Sequence, residues 1–223
     1  MNKENSGQQQ LFKITGHQIC VISERNSKKE DLGTGFLFLK NDWIVTAAHV
    51  IQTDYNSVRN NLIAKFPNHV NNTASLAVLA IHNECDIALL KIIGYDNPCS
   101  QPLYPGYDEL SATNGLICCG YTPSKGRIIT ISLANIYKKE YRERKETETI
   151  LEFISNDIEG GSSGGPIFGN GGVVLGIMIN TFSIEEEPNK KFARATSIQN
   201  LMRAIKIDVN PEILVPVNFN NND

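Results

Sequence analysis

In the run DIEGGSSGGPIF (157–168) a serine hydroxyl, that of Ser163, stands among small residues. Such a setting suits attack on a carbonyl, because glycines let the backbone turn sharply and come close to a bound molecule. They also let two amide N–H groups, those of Gly161 and Ser163, aim at one point and hold an oxygen that becomes negative in the transition state. A Ser/Gly-rich turn with no chemistry would read the same way in isolation. The serine therefore has to be matched with a base, since a hydroxyl is a weak nucleophile at neutral pH.

The chain has 4 histidines. His17 opens an apolar run, His69 lies in PNHVNN and His82 in IHNE, and each reads as an exposed or core-satisfied residue. His49 differs, because it ends WIVTAAHV, an apolar strand running into small residues that would hold an imidazole at the edge of a β-lobe. A histidine acting as base needs an acceptor to fix its tautomer and stabilise its cation. Asp86 opens DIALLKI, where a buried carboxylate is costly without a partner. A strand-start cap is the plainer reading of Asp86; pairing with His49 gives it a chemical reason.

These side chains have to be placed by β-structure. Short β-branched runs recur at 17–23, 33–39, 43–48, 62–66, 74–81, 86–92, 115–121, 127–137, 150–155 and 172–181, separated by turn residues. The pattern predicts an all-β sandwich or barrel. SIQNLMRAI (197–205) carries apolar residues at helical spacing, with Ser197 as its N-cap. LYPGYDELSATNG (103–115) interrupts the strand pattern and reads as the connection between two lobes. Residues 1–14 read as a flexible segment and 207–223 as a tail, with the folded domain at 15–206.

The 223 residues suffice for one sizeable domain. With 21 Lys and Arg against 24 Asp and Glu, no overall field favours nucleic acid or an anionic membrane. No run approaches the roughly 20 apolar residues of a membrane span, and MNKENSGQQQ lacks the apolar core of an export signal, so a cytoplasmic protein is expected. The 5 cysteines lack metal-ligand spacing. Cys118 and Cys119 are adjacent in a strand and would face opposite ways, so free, mostly buried thiols are expected. Neither a cofactor nor a metal is implied.

The runs GTGFLF, VTAAHV, DIALLK and GSSGGP, in that order, resemble the chymotrypsin-fold, trypsin-like serine peptidases, and most of all the protease domain of HtrA-like proteins. The resemblance spans about residues 15–206, including RATSIQNLMRAI, which is similar to the family's closing strand and helix. It implies two six-stranded antiparallel Greek-key barrels, at about 15–102 and 115–196, with the site between them and a helix at about 197–206. It further implies a triad of His49 and Asp86 from the first barrel and Ser163 from the second. Either serine of the pair could otherwise be the nucleophile; the family pattern Gly-variable-Ser-Gly-Gly selects Ser163 over Ser162. The implied activity is that of a serine endopeptidase acting on protein or peptide substrates.

The departures are also informative. Ser162 stands where secreted trypsins carry the acid that pairs with a processed N-terminus, so the loop must be ordered by another device. Nothing here is long enough to be the PDZ domain usual in HtrA-like proteins, and a regulatory protein partner is an expectation by analogy. Asp157 matches the pocket floor of trypsins, where a carboxylate selects Lys or Arg, whereas HtrA-like pockets use the residue matching Ile158 and accept small apolar side chains. Both preferences stay open. The acidic run at 185–187 would add negative potential near the cleft or simply be solvated. The backbone of Met178, Ile179, Asn180 and Thr181 is expected to pair with an extended substrate. The alternative to an enzyme is a catalytically silent module holding a peptide on the same fold.

Overall fold

The structure, a computed structural model, describes residues 17–25, 31–53, 57–67, 73–94, 101–106, 116–122, 128–142, 148–154, 158–169, 172–183, 185 and 191–208. Among these residues lie twelve strands. The first six are β1 (Ile19–Glu24), β2 (Asp31–Leu37), β3 (Trp43–Thr46), β4 (Leu62–Lys65), β5 (Thr73–His82) and β6 (Ile87–Ile93). They hydrogen-bond in the order β1-β2-β3-β6-β5-β4, and β4 returns to β1, which closes the sheet. The remaining strands are β7 (Leu116–Thr122), β8 (Ile128–Arg142), β9 (Glu148–Ile154), β10 (Pro166–Phe168), β11 (Val174–Phe182) and β12 (Phe192–Ser197). Their ladder runs β10-β11-β12-β9-β8-β7 and closes from β7 to β10.

The near-continuous apolar runs of the sequence have a direct cause. Alternate residues of a strand face opposite sides, and here both sides are dry. Along β1, Cys20 and Ile22 join the interior of the first barrel with Leu37 and Ile44. Ile19 and Val21, between them, join a second cluster with Phe36, Trp43, Phe168 and Ile177, drawn from both barrels. β7 does the same: Cys118 lies inside the second barrel with Leu116 and Ile167, and Cys119 lies in the shared cluster. The neighbouring cysteines thus diverge, as strand geometry requires. Burial pushes the Cys119 thiol up to about 12 and raises those of Cys20 and Cys118 as well. Cys99 lies outside the described residues.

The segment 103–106 touches both lobes. Leu103 bridges to Phe38 of the first barrel and Pro105 to Val174 of the second, so the chain is stitched to one lobe and then to the other within three residues. At the far end, helix α2 (Ile198–Asp208) follows β12, and the Gln199 amide donates to Ser197 Oγ at 3.2 Å, the cap foreseen from sequence. Ile198, Leu201 and Met202 of this helix are buried in the shared cluster. No helix of the described residues is long and apolar enough to cross a membrane.

Polar contacts also cross between the lobes. Tyr121 Oη of β7 donates to Asp31 Oδ2 of β2 at 2.6 Å, and Ser23 Oγ and Lys65 Nζ donate to Oδ1 at 2.9 and 3.1 Å. Burial alone would raise the Asp31 carboxyl; the hydrogen bonds from Tyr121, Lys65 and Ser23, with the Lys65 charge, outweigh it and hold it below the ordinary value.

Candidate active site

β3 and β6 pair with Thr46 opposite Ala88, so the end of one strand and the start of the other are neighbours. His49 and Asp86 lie just beyond those ends. His49 sits not on the strand but in a one-turn helix, α1 (Ala48–Ile51). The turn is fastened to Asp86 at three points: the Ala48 amide donates to the Asp86 carbonyl at 3.1 Å, the His49 amide to Oδ1 at 2.9 Å, and the His49 ring Nδ1 meets Oδ2 at 2.7 Å. Asp86 ends a 3₁₀ turn (Asn83–Cys85) with φ 53 and ψ 48, a left-handed conformation that Asp tolerates better than most residues. Its side chain is 24% exposed and that of His49 48%, so this carboxylate is only partly withdrawn from water rather than buried as the sequence suggested.

An ionised carboxylate only accepts hydrogen bonds. Facing Nδ1, it keeps the proton there and leaves Nε2 with its lone pair, the arrangement a general base requires.

The loop 158–165 enters from the other lobe and is fixed to β11 and β2. The Gly164 amide donates to the Met178 carbonyl at 2.7 Å, the Met178 amide to the Gly165 carbonyl at 2.9 Å, and the Thr34 amide to the Ser163 carbonyl at 2.8 Å. Gly164, at φ 85, is packed so closely that a Cβ there would lie 2.1 Å from the Thr34 carbonyl oxygen and 3.0 Å from the Ala47 amide nitrogen. A Cβ on Gly33 would meet Val50 at 2.7 Å and the Ser163 carbonyl at 2.9 Å. Gly33 therefore sits between Val50 of the turn that carries His49 and the loop that carries Ser163, while Gly164 seats that loop against Thr34, Thr46 and the Ala47 amide.

The two serines differ in environment. Ser162 is buried, with its hydroxyl 3.5 Å from the Tyr121 carbonyl. Ser163 is half-buried, and its Oγ donates to the Ile179 carbonyl at 2.8 Å. Ile179 is where the β11–β12 register slips between Met178 and Asn180, and a bulge of this kind re-aims backbone groups. Among the described residues no hydrogen bond joins Ser163 to His49, and the amides of Gly161 and Ser163 donate to no described residue.

The remaining candidates are scattered. Ile158 and Met178 bury their side chains in the second barrel's interior, and the Met178 amide and carbonyl are both taken by the loop. Ile179 is half-buried, whereas Asn180 and Thr181 are exposed. Asp157 lies outside the described residues, as do two of the three acids at 185–187; Glu185 is exposed. The short strand β10 escaped the sequence pattern because it has three residues and starts at a proline.

In this two-lobed β-fold one lobe carries a carboxylate-held histidine and the other a Gly-rich serine loop. The trypsin-like peptidase domain family matches residues 33–177, and the chain belongs to that family. No curated protein matches the sequence. Similar solved structures include an inactive form of a mutant of Rv3671c from M. tuberculosis H37Rv, at 19% identity and TM-score 0.67 over 93% of this chain and 92% of that one. The serine endoprotease from Yersinia pestis is similar at 18% identity and TM-score 0.68 over 92% of this chain and 67% of that one. The HtrA-type protease AlgW, bound to a decapeptide, is similar at 14% identity and TM-score 0.69 over 88% of this chain; the chain spans 65% of AlgW. At these identities the likeness is one of fold.

Proposed function

We propose that the chain is a serine endopeptidase that hydrolyses peptide bonds of protein substrates through an acyl-enzyme on Ser163. Ser163 Oγ attacks the carbonyl, His49 Nε2 takes its proton and returns it to the leaving amine, and Asp86 orients His49 and stabilises its cation. The amides of Gly161 and Ser163 receive the oxyanion. The observation that carries this reading is the double engagement of His49 by one carboxylate, at its amide and at its ring nitrogen; a peptide-holding surface has no use for a fixed tautomer. The burial of Ser162 supports Ser163 as the nucleophile.

The substrate lies extended along Ile179 to Thr181 as an added strand. Its residue before the scissile bond is basic if Asp157 forms the pocket floor and small and apolar if it does not. A regulatory protein partner supplies selectivity that the cleft alone lacks. A second reading, a silent peptide-binding module, draws on the Ser163 hydroxyl being turned to Ile179. Cleavage of a peptide library separates the two: wild type and Ser162→Ala turn over, Ser163→Ala does not, and all three melt within a few degrees of one another. Absence of turnover in wild type with retained peptide binding would establish the second reading instead.

A further inference from the structure

Thr34 is wholly buried and uses every polar atom it has at the junction of the lobes. Its amide donates to the Ser163 carbonyl at 2.8 Å. Its hydroxyl donates to the Gly161 carbonyl at 2.7 Å and accepts from the Tyr121 amide at 2.8 Å. Its carbonyl accepts from Thr46 Oγ at 2.7 Å. Thr34 and Thr46 belong to β2 and β3 of the first barrel; Tyr121, Gly161 and Ser163 belong to the second half of the chain. One side chain and its backbone thus hold the chain at both ends of the segment 161–163, within which the nucleophile and both oxyanion amides lie.

The loop's other backbone bonds, from Met178 to the Gly164 amide and the Gly165 carbonyl and within its own turns, come from the second half of the chain. Ser162, in the place where secreted relatives use an ion pair to order the loop, reaches the Tyr121 carbonyl only at 3.5 Å, too long for a strong O–H···O bond. We propose that Thr34 is the positioning residue that sets the nucleophile loop, a hydroxyl clasp from the first barrel doing the ordering that a terminal ion pair does elsewhere. The inference rests on the serine-peptidase reading for its kinetic consequence, though not for its structural one. A hydroxyl can donate once and accept as well, so valine, equal in shape, strands the Gly161 carbonyl and the Tyr121 amide together. Serine keeps both bonds.

The test compares wild type, Thr34→Val and Thr34→Ser for peptide turnover, for the rate of reaction with a fluorophosphonate and for amide exchange of the segment 159–165. Thr34→Val is expected to lose about 100-fold in kcat, the effect of a displacement near 1 Å at reacting groups, with KM within about twofold. Its phosphonylation slows in proportion and its 159–165 amides exchange faster, while Thr34→Ser restores all three. If Thr34→Val fails to fold, Thr34→Ala is measured in its place with the same expectation. Unchanged exchange and phosphonylation in Thr34→Val, or a loss in Thr34→Ser as large as in Thr34→Val, overturns the clasp. If wild type neither cleaves peptides nor reacts with the phosphonate, the peptidase reading fails by itself, and the exchange of 159–165 still decides the clasp.

Discussion

Asp86 meets His49 twice, with Oδ1 on the backbone amide at 2.9 Å and Oδ2 on ring Nδ1 at 2.7 Å. Both partners are donors, and only a carboxylate offers an acceptor to each. In Asp86→Asn one donor must face an NH2 group. The ring resolves the conflict by moving its proton to Nε2, which removes the base. Asn also tolerates the left-handed backbone at this position, so folding survives. Asp86→Asn is expected to lose on the order of 10³–10⁴ in kcat while melting within a few degrees of wild type, as checked by kinetics and calorimetry.

Gly164 gives a contrast between two glycines of one loop. An alanine there would need φ 85 and would place its methyl 2.1 Å from the Thr34 carbonyl and 2.2 Å from Thr46 Oγ. The expected cost is about 2 kcal/mol or more, a fall in Tm of roughly 4–8 °C, with loss of activity. A Cβ on Gly160 meets nothing within 4 Å, so Gly160→Ala should melt as wild type. Equal melting temperatures for the two variants would contradict the tight seating of Gly164.

Asp31 supplies the pH dependence. Its carboxyl is held below the ordinary value in the fold, so the stability it contributes is present above the unfolded carboxylate value, about 4. That contribution is lost as pH falls through the lower folded value. Urea midpoints of wild type and Asp31→Asn should therefore differ at pH 7, and the difference should narrow as pH falls below about 4. A difference that stays constant across this range would show that the Tyr121, Lys65 and Ser23 contacts do not favour the ionised form.

The thiols offer a test of the packing. Cys20, Cys118 and Cys119 are buried, and burial raises the pKa of each. Reaction requires the thiolate, so iodoacetamide at pH 8 should leave all three unmodified in the folded protein and alkylate them in denaturant, as read by peptide mass. Modification of Cys118 or Cys119 without denaturant would mean that β7 opens readily.

What the sequence made legible was whatever depends on local pattern. Short β-branched runs and the turn residues between them located the longer strands, and the helical spacing of Ile198, Leu201 and Met202 with Ser197 before them located α2 and its cap. Three things were not legible. The helical turn at 48–51 follows WIVT without a break in apolarity, because Asp86, 37 residues away, holds it. β10 is too short to show a period. The role of Thr34 was hidden in GTGF, since a threonine in a strand announces nothing; its partners come from positions 87 and 127 residues distant.

The most direct measurement is the mass spectrum of the protein after reaction with a fluorophosphonate, with the adduct mapped by peptide fragmentation. One adduct is predicted, on Ser163, retained in Ser162→Ala and lost in both Ser163→Ala and His49→Ala. An adduct on Ser162, or on Ser163 at an undiminished rate in His49→Ala, would contradict the account.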